Sequence, residues 1–295
     1  MSQPQGSKAS LALCSTLSAL AMHTLKLTLA YDGTAYAGWQ VQPGQTTVQG
    51  TLEAALQKIT GRPVRVLASG RTDAGVHALG QVVGLQTDSH LSADVLRRAL
   101  NAELPGDIAV IDVVEAPHDF HAIRDAVRKR YCYVIHDGPV RDVFQRRYCW
   151  HVSTPLDVEA MHRAAQSLLG KHDFSSFETA GAKRESSVRT VFDISVAREK
   201  GVRTIYSENR SDPFSSPIYS ENRSDPFSSR IVVEVEANGF LYNMVRAIVG
   251  TLVEVGRGAQ PESWITEVLQ ATNRSAAGPT APPQGLFLVK VDYNP

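Results

Sequence analysis

From residue 24 onward, apolar and polar positions alternate. In TLKLTLAYD (24–32), Leu25, Leu27, Leu29 and Tyr31 share one face, the period-2 signature of a half-buried strand. The period then lengthens. Leu52, Ala55, Leu56 and Ile59 recur at helical spacing, behind a capping-box pattern of Thr46 and Gln49 and ahead of Gly61 and Pro63, which stop a helix. VRVLA (64–68) and QVVGL (81–85) read as strands, Ser92 caps a helix to about Asn101, and DIAVIDVV (107–114) reads as another strand. The order β-α-β-β-α-β is the ferredoxin-like arrangement.

The second half repeats that order loosely. RYCYVIH (130–136) reads as a strand, and Met161, Ala165, Leu168 and Leu169 share one face of a helix that ends at Gly170. TVFDISVA (190–197) and RIVVEVEA (230–237) are strands, a helix runs from about Leu241 to Val255, a short one follows Pro261, and GLFLVKVDY (285–293) closes the chain. The pattern predicts an α/β (α+β) protein of two tandem ferredoxin-like halves, 24–125 and 126–295, with the joint near residues 118–130.

Two stretches stand outside this pattern. IYSENRSDPFSSP (205–217) is followed by the near-copy IYSENRSDPFSSR (218–230), inside a long loop at 198–230. Its Ser, Asn, Asp and Pro content suits disorder better than a packed repeat. LALCSTLSALAM (11–22) imitates a signal-peptide core but is too short to span a bilayer, so residues 1–23 are expected to form a disordered extension, or translation begins at Met22.

Composition narrows the class. At 295 residues, 43% apolar and 20% charged, the chain is a soluble globular protein with room for about two cores. Formal net charge is zero, so any affinity for nucleic acid depends on where the positive charge sits. Arg124, Arg128, Lys129 and Arg130 lie within seven residues, Arg141, Arg146 and Arg147 follow, and Lys183, Arg184 and Arg189 form a looser group. Each alone reads as a solvated face, and several flanking one site would read as a phosphate-binding surface. Three cysteines without a C-x-x-C exclude a disulfide framework and a zinc ribbon, so Cys132 and Cys149 read as buried thiols of a cytoplasmic protein.

The candidate chemistry centres on ASGRTDAGVHALGQV (68–82), with one carboxylate, Asp73, two residues after Arg71 in a glycine-rich loop. An Arg–Asp pair bracing a turn is the simplest account, and partners elsewhere would make the loop a site. In NGFLYNMVRAIVGTLVEV (238–255), apolar on most of its circumference, Arg246 stands alone. It needs either a carboxylate, for which Asp73 is the candidate, or an outlet to water at the helix edge. Tyr131 and Tyr133 share a strand face. Tyr133 reads as core, whereas Tyr131, directly after three cations, suits stacking on a nucleobase.

At these residues the chain, from Leu25 to Tyr293, resembles the tRNA pseudouridine synthase A family. The resemblance is carried by YDGTAYAGWQ (31–40), VQGTLEAAL (48–56), GRTDAGVHALGQV (70–82), NAELPGDIAV (101–110), DFHA (119–122), KRYCYVI (129–135), FLYNMVRAIVG (240–250) and GLFLVKVDY (285–293). It implies a pseudouridine synthase fold in which both halves join one continuous antiparallel or mixed sheet. It implies that Asp73 is catalytic, that Tyr131 stacks on the target base, that Arg246 pairs with Asp73, and that Arg71 helps displace the target nucleotide. The implied substrate is uridine at positions 38, 39 and/or 40 of the tRNA anticodon stem-loop, the implied assembly a homodimer with one tRNA contacting both chains. No cofactor, metal or membrane is implied. The family has arginine after Phe-His-Ala, and here Ile123 takes that place with Arg124 following, which puts one phosphate contact in doubt.

Breaking N1–C1′, rotating the base and forming C5–C1′ needs no redox step, and one carboxylate can serve as nucleophile at C1′ or at C6. On this reading Arg246 keeps Asp73 ionised, and Tyr131 is also a candidate proton acceptor. Two other readings compete. A tRNA-binding protein without catalysis would not need Asp73, and a metal hydrolase would use His118, His121 and His77, although no Cys or Glu completes a ligand set.

Overall fold

The computed structural model describes residues 22–179, 186–200 and 229–294. Of the expected disordered extension 1–23, residues 1–21 lie outside the described residues, whereas His23 already belongs to the first strand; Cys14, Lys183, Arg184 and all of the duplicated segment except Ser229 and Arg230 also lie outside them.

The first half runs β1 (His23–Tyr31), α1 (Val48–Thr60), β2 (Val66–Ala68), β3 (His77–Thr87), α2 (Ala93–Glu103) and β4 (Ile108–Ala116). The second half runs β5 (Ala126–Asp137), β6 (Trp150–Val152), α3 (Val158–Ala165), β7 (Gly170–Asp173), β8 (Val188–Lys200), β9 (Ser229–Ala237), α4 (Met244–Gly256), α5 (Trp264–Ala271) and β10 (Leu286–Tyr293). All ten strands join one mixed sheet in the order β4-β1-β3-β10-β5-β9-β8-β7, with β2 on β3 and β6 on β5. In the first half β4 lies beside β1 and β1 beside β3, and in the second β10 lies beside β5 and β5 beside β9, the ferredoxin-like order once the short β6 and β7 are set aside. β10 joins the halves. It is parallel to β3 through Phe287 opposite His77 and Leu288 opposite Ala78, and antiparallel to β5.

The strand pleat sorts side chains between two faces. On β5, Tyr131, Tyr133 and Ile135 enter the large core that also holds the buried residues of α1 to α5. Cys132 and Val134 point the other way, into a small cluster with Cys149 and Phe287. Both cysteines are buried free thiols.

Local details correct the sequence reading. The cap of α1 is Thr47, whose side chain accepts from Gly50 N, because the Thr46 carbonyl is engaged by Ala37 N. Gln49 therefore reaches Val41 N and Glu53 instead of the cap. Helix α4 begins at Met244, since Asn243 adopts a left-handed conformation (φ 62°) that breaks the path from Leu241. Leu169 is half-exposed beyond the end of α3. Strands β6 and β7, three and four residues long, are too short to show a period and were not expected.

Candidate active site

The loop between β2 and β3 is built by the first half. Thr72 Oγ1 and Tyr31 Oη are hydrogen-bonded at 2.8 Å, and the Thr72 carbonyl accepts from Trp39 N at 3.0 Å. Gln81, fully buried on β3, accepts from Ser69 Oγ at 2.8 Å and donates to the Gly70 carbonyl at 2.8 Å. Behind the loop, His77 is buried. Its Nδ1 accepts from Gly33 N at 3.1 Å, and its Nε2 lies 2.9 Å from the Arg147 carbonyl. Asp32 Oδ1 also lies 3.1 Å from Nδ1, and burial pushes the imidazole pKa down, opposed by Asp32.

These contacts leave the Asp73 carboxylate to the second half. Arg246 Nη1 lies 3.4 Å from Asp73 Oδ2 and donates to Asn243 Oδ1 at 2.7 Å, while Arg246 Nε donates to the Ala281 carbonyl at 2.7 Å. The left-handed backbone of Asn243, a conformation asparagine tolerates, sets its amide beside the guanidinium. The pair expected across the two halves is therefore present, but Arg246 is shared among three oxygens. Arg246 acts in the expected direction, toward the ionised carboxylate, but burial acts against it more strongly. Burial raises the Asp73 pKa above the ordinary carboxylate value, and Arg246 opposes that shift without overcoming it.

Asp73 opens onto a cleft of about 1210 Å³, larger than the usual small-molecule site. Tyr131 lines it, with the Phe240 ring edge-on at 4.9 Å. Burial holds the Tyr131 phenol well above its ordinary pKa, helped by the nearby charge of Asp73, so the ring is neutral at physiological pH. Arg71 lines the mouth, exposed, with no hydrogen bond or ion pair among the described residues. Tyr242, Gln40, Gln42 and Ile123 also face the cleft. Arg124, beside Ile123, is bound to Asp125 and to the Asp119 carbonyl within its own turn.

The basic run at 128–130 divides by strand parity. Arg128 and Arg130 face away from the cleft and pair with Glu236 at 3.0 and 2.9 Å. Only Lys129, on the Tyr131 face, enters the cleft, and Arg189 reaches it from β8. Among the described lining residues the charges are Arg71, Lys129 and Arg189 against Asp73 alone, so a chain of zero formal charge presents a cationic cleft. Lys129, Arg189, Phe240 and Gln81 had not been singled out as site residues. Parity relative to Tyr131 was the available signal for Lys129. Among the described residues no group of three or more His, Cys, Asp and Glu could hold a metal ion, and no helix is long and apolar enough to cross a membrane. His121 Nδ1 accepts from the backbone of Ile123 and Arg124.

Residues 28–124 and 164–294 match the family model described as tRNA pseudouridine synthase. The chain is 46% identical over 274 residues to the tRNA pseudouridine synthase A of Moorella thermoacetica, covering 92% of this chain and all of that protein. It is 45% identical over 272 residues to the same-named protein of Brevibacillus brevis, and 41% to that of Thermoanaerobacter sp. (strain X514), again with 92% and 100% coverage. A lone carboxylate in a cationic cleft, on a sheet of this order and with these relatives, has one family to which it answers: the chain belongs to the tRNA pseudouridine synthases, isomerases that modify RNA.

Proposed function

We propose that the protein isomerises uridine to pseudouridine at positions 38, 39 and/or 40 of the tRNA anticodon stem-loop, with Asp73 as the nucleophile. The observation that carries the chemistry is the Asp73–Arg246 contact of 3.4 Å in a cleft whose other charged lining residues, among those described, are the cations Arg71, Lys129 and Arg189. An anionic RNA strand is drawn to such a cleft, and the carboxylate supplies its only acidic side chain among the described residues. A base within a stem must leave its stack, at a cost of a few kcal/mol. Arg71, at the mouth, takes the vacated space, and the flipped base stacks on Tyr131.

The reaction is an isomerisation. The carboxylate adds at C1′ or at C6, the N1–C1′ bond breaks, the uracil turns, C5–C1′ forms, and the bond to Asp73 breaks, by displacement at C1′ or elimination from C6, to free the carboxylate. One proton leaves carbon and one arrives on nitrogen, so nothing is oxidised or consumed. The raised phenol pKa supports a neutral Tyr131 that stacks and hydrogen-bonds, rather than a standing base. The site pattern and a homodimer with one tRNA contacting both chains are expected from the resemblance, a cytoplasmic setting from the cysteines, and all belong to this reading.

The test is incubation with unmodified tRNA, followed by position-resolved pseudouridine mapping. Product is expected at one or more of positions 38–40, and Asp73→Asn should abolish it while tRNA binding persists. Product elsewhere would overturn the assigned positions. Substantial turnover by pure Asp73→Asn would remove Asp73 from its role.

A further inference from the structure

We propose that Lys129 and Arg189 form a seat for one backbone phosphate of the RNA strand that occupies the Asp73 cleft. The proposal rests on the tRNA substrate above and adds to it a site on the second half of the sheet, apart from the carboxylate and its arginine.

Lys129 lies two residues before Tyr131 on the same face of β5, about 7 Å along the strand from the ring assigned to the base. A nucleotide held on that ring brings its own sugar–phosphate within reach. The ammonium donates to the Ser69 carbonyl at 2.6 Å, one contact for a group with three donors. Among the described residues no carboxylate stands within ion-pair distance of it. Asp73 is not its counter-ion, because the charge that acts on Asp73 is that of Arg246. Arg189 lines the same cleft, its Nη1 donating to the carbonyls of Ser186 and Val188, which aim the head into it.

The space around both cations is left clear by glycine. A Cβ on Gly70 would stand 3.2 Å from Lys129 Nζ, and one on Gly239 would stand 3.6 Å from Arg189 Nε. Both glycines line the cleft. The two positive heads are thus bordered by bare backbone, as a bulky anion requires. Their proximity has a cost. Burial, and then the like charge of Arg189, push the Lys129 pKa down to about 8. A phosphodiester oxygen between them removes that repulsion.

The experiment uses the catalytically inert Asp73→Asn protein and unmodified tRNA, with affinity measured across a salt series. Lys129→Gln is expected to weaken binding about tenfold, as loss of a charged hydrogen bond does. It should also flatten the slope of log affinity against log salt by roughly 0.7–0.9, the value for one neutralised phosphate. Arg189→Gln should do the same, and the double variant should lose less than the two singles combined, since both serve one phosphate. Lys129→Arg should restore the slope, which a merely structural lysine on Ser69 would not predict. Arg130→Gln, on the opposite face, should leave the slope unchanged. The seat is refuted if Lys129→Gln melts and binds like its parent with an unaltered slope, or if Lys129→Arg, folded, fails to restore it. If the parent protein itself does not bind tRNA, the functional reading falls and the seat falls with it. If the parent binds and Lys129→Gln is silent, the seat falls alone.

Discussion

Replacing Arg246 with alanine should cost far more stability than replacing Asp73, although the two are partners. Arg246 serves three oxygens: Asn243 Oδ1 and the Ala281 carbonyl, each at 2.7 Å, and Asp73 Oδ2 at 3.4 Å. Its side chain is 16% exposed and that of Asp73 24%. At 3.4 Å and an effective dielectric near 20, the charge attraction is about 5 kcal/mol before desolvation. One oblique contact between partly wet groups keeps only a fraction of that, so the coupling between the two should measure about 1–2 kcal/mol. Arg246→Ala loses this contact and two shorter ones and leaves a carboxylate stranded, for a total of about 3–5 kcal/mol. For a chain of this size that is a fall in Tm of roughly 6–20 °C.

Asp73→Ala leaves Arg246 with both neutral acceptors and lifts the burial cost that raises the carboxylate pKa. Its loss should stay near or below about 1 kcal/mol. With two other acceptors at 2.7 Å, the guanidinium is not stranded by that loss. Arg246→Lys keeps the charge but cannot span the three oxygens, so it should fold and turn over slowly. The assay is urea denaturation of wild type, both alanine singles and the double, followed by circular dichroism. Equal losses from the two singles would refute the three-way sharing, and strictly additive losses would refute the pairing itself.

Asp73→Asn should be more stable than wild type at neutral pH, with the gap closing as pH falls. The folded pKa of Asp73 is raised, so between the ordinary carboxylate value and that raised value the unfolded chain releases its proton first; the contribution of this group is intact at acid pH and lost as pH rises through the window. A Tm difference that widens toward acid would contradict the sign. Gly80→Ala should damage both stability and turnover, because its Cβ would stand 2.4 Å from the Val289 carbonyl oxygen, backbone that cannot turn aside. Gly84→Ala meets only side-chain carbons of Phe120 and Ala122 at 3.3 Å and beyond, and should be much milder. Equal tolerance of both by thermal melting would show that the β3–β10 seam yields more easily than its geometry indicates.

Much of the fold was readable because its elements are long enough to show a period. β1, α1, α4 and β10 each bury a continuous stripe, and the two ferredoxin-like orders followed from them. β6 and β7 were not readable, being shorter than two repeats of any pattern. In the site, Arg246 was readable as a charge that an apolar helix must pair, and Asp73 as the acid left to pair it. Lys129 was not, because RKR looks like one basic surface until the pleat separates it. Glu236 on the neighbouring strand takes the two outer arginines, and only the central lysine turns toward Tyr131. The left-handed Asn243, which starts α4 late and holds the guanidinium, depends on tertiary contacts that no local pattern encodes.

The division of labour between the halves explains why the carboxylate sits at their junction. Every hydrogen bond described above for Thr72 and Gln81 stays within the first half, so that half fixes where the loop stands. The carboxylate's charged partner, by contrast, comes from α4, and Lys129 of β5 grips the same loop at the Ser69 carbonyl. Position is thus set by one half and electrostatic environment by the other. The halves meet through the short parallel contact of β10 on β3, next to His77, which also touches the turn at Gly33 and the carbonyl of Arg147. A small shift at that seam changes the 3.4 Å separation of Asp73 from Arg246 without disturbing the loop's own hydrogen bonds. The ionisation of Asp73 therefore depends on how the halves are docked. On the proposed reading, an RNA strand reaching both Arg71 and Lys129 would span that junction and act on the docking.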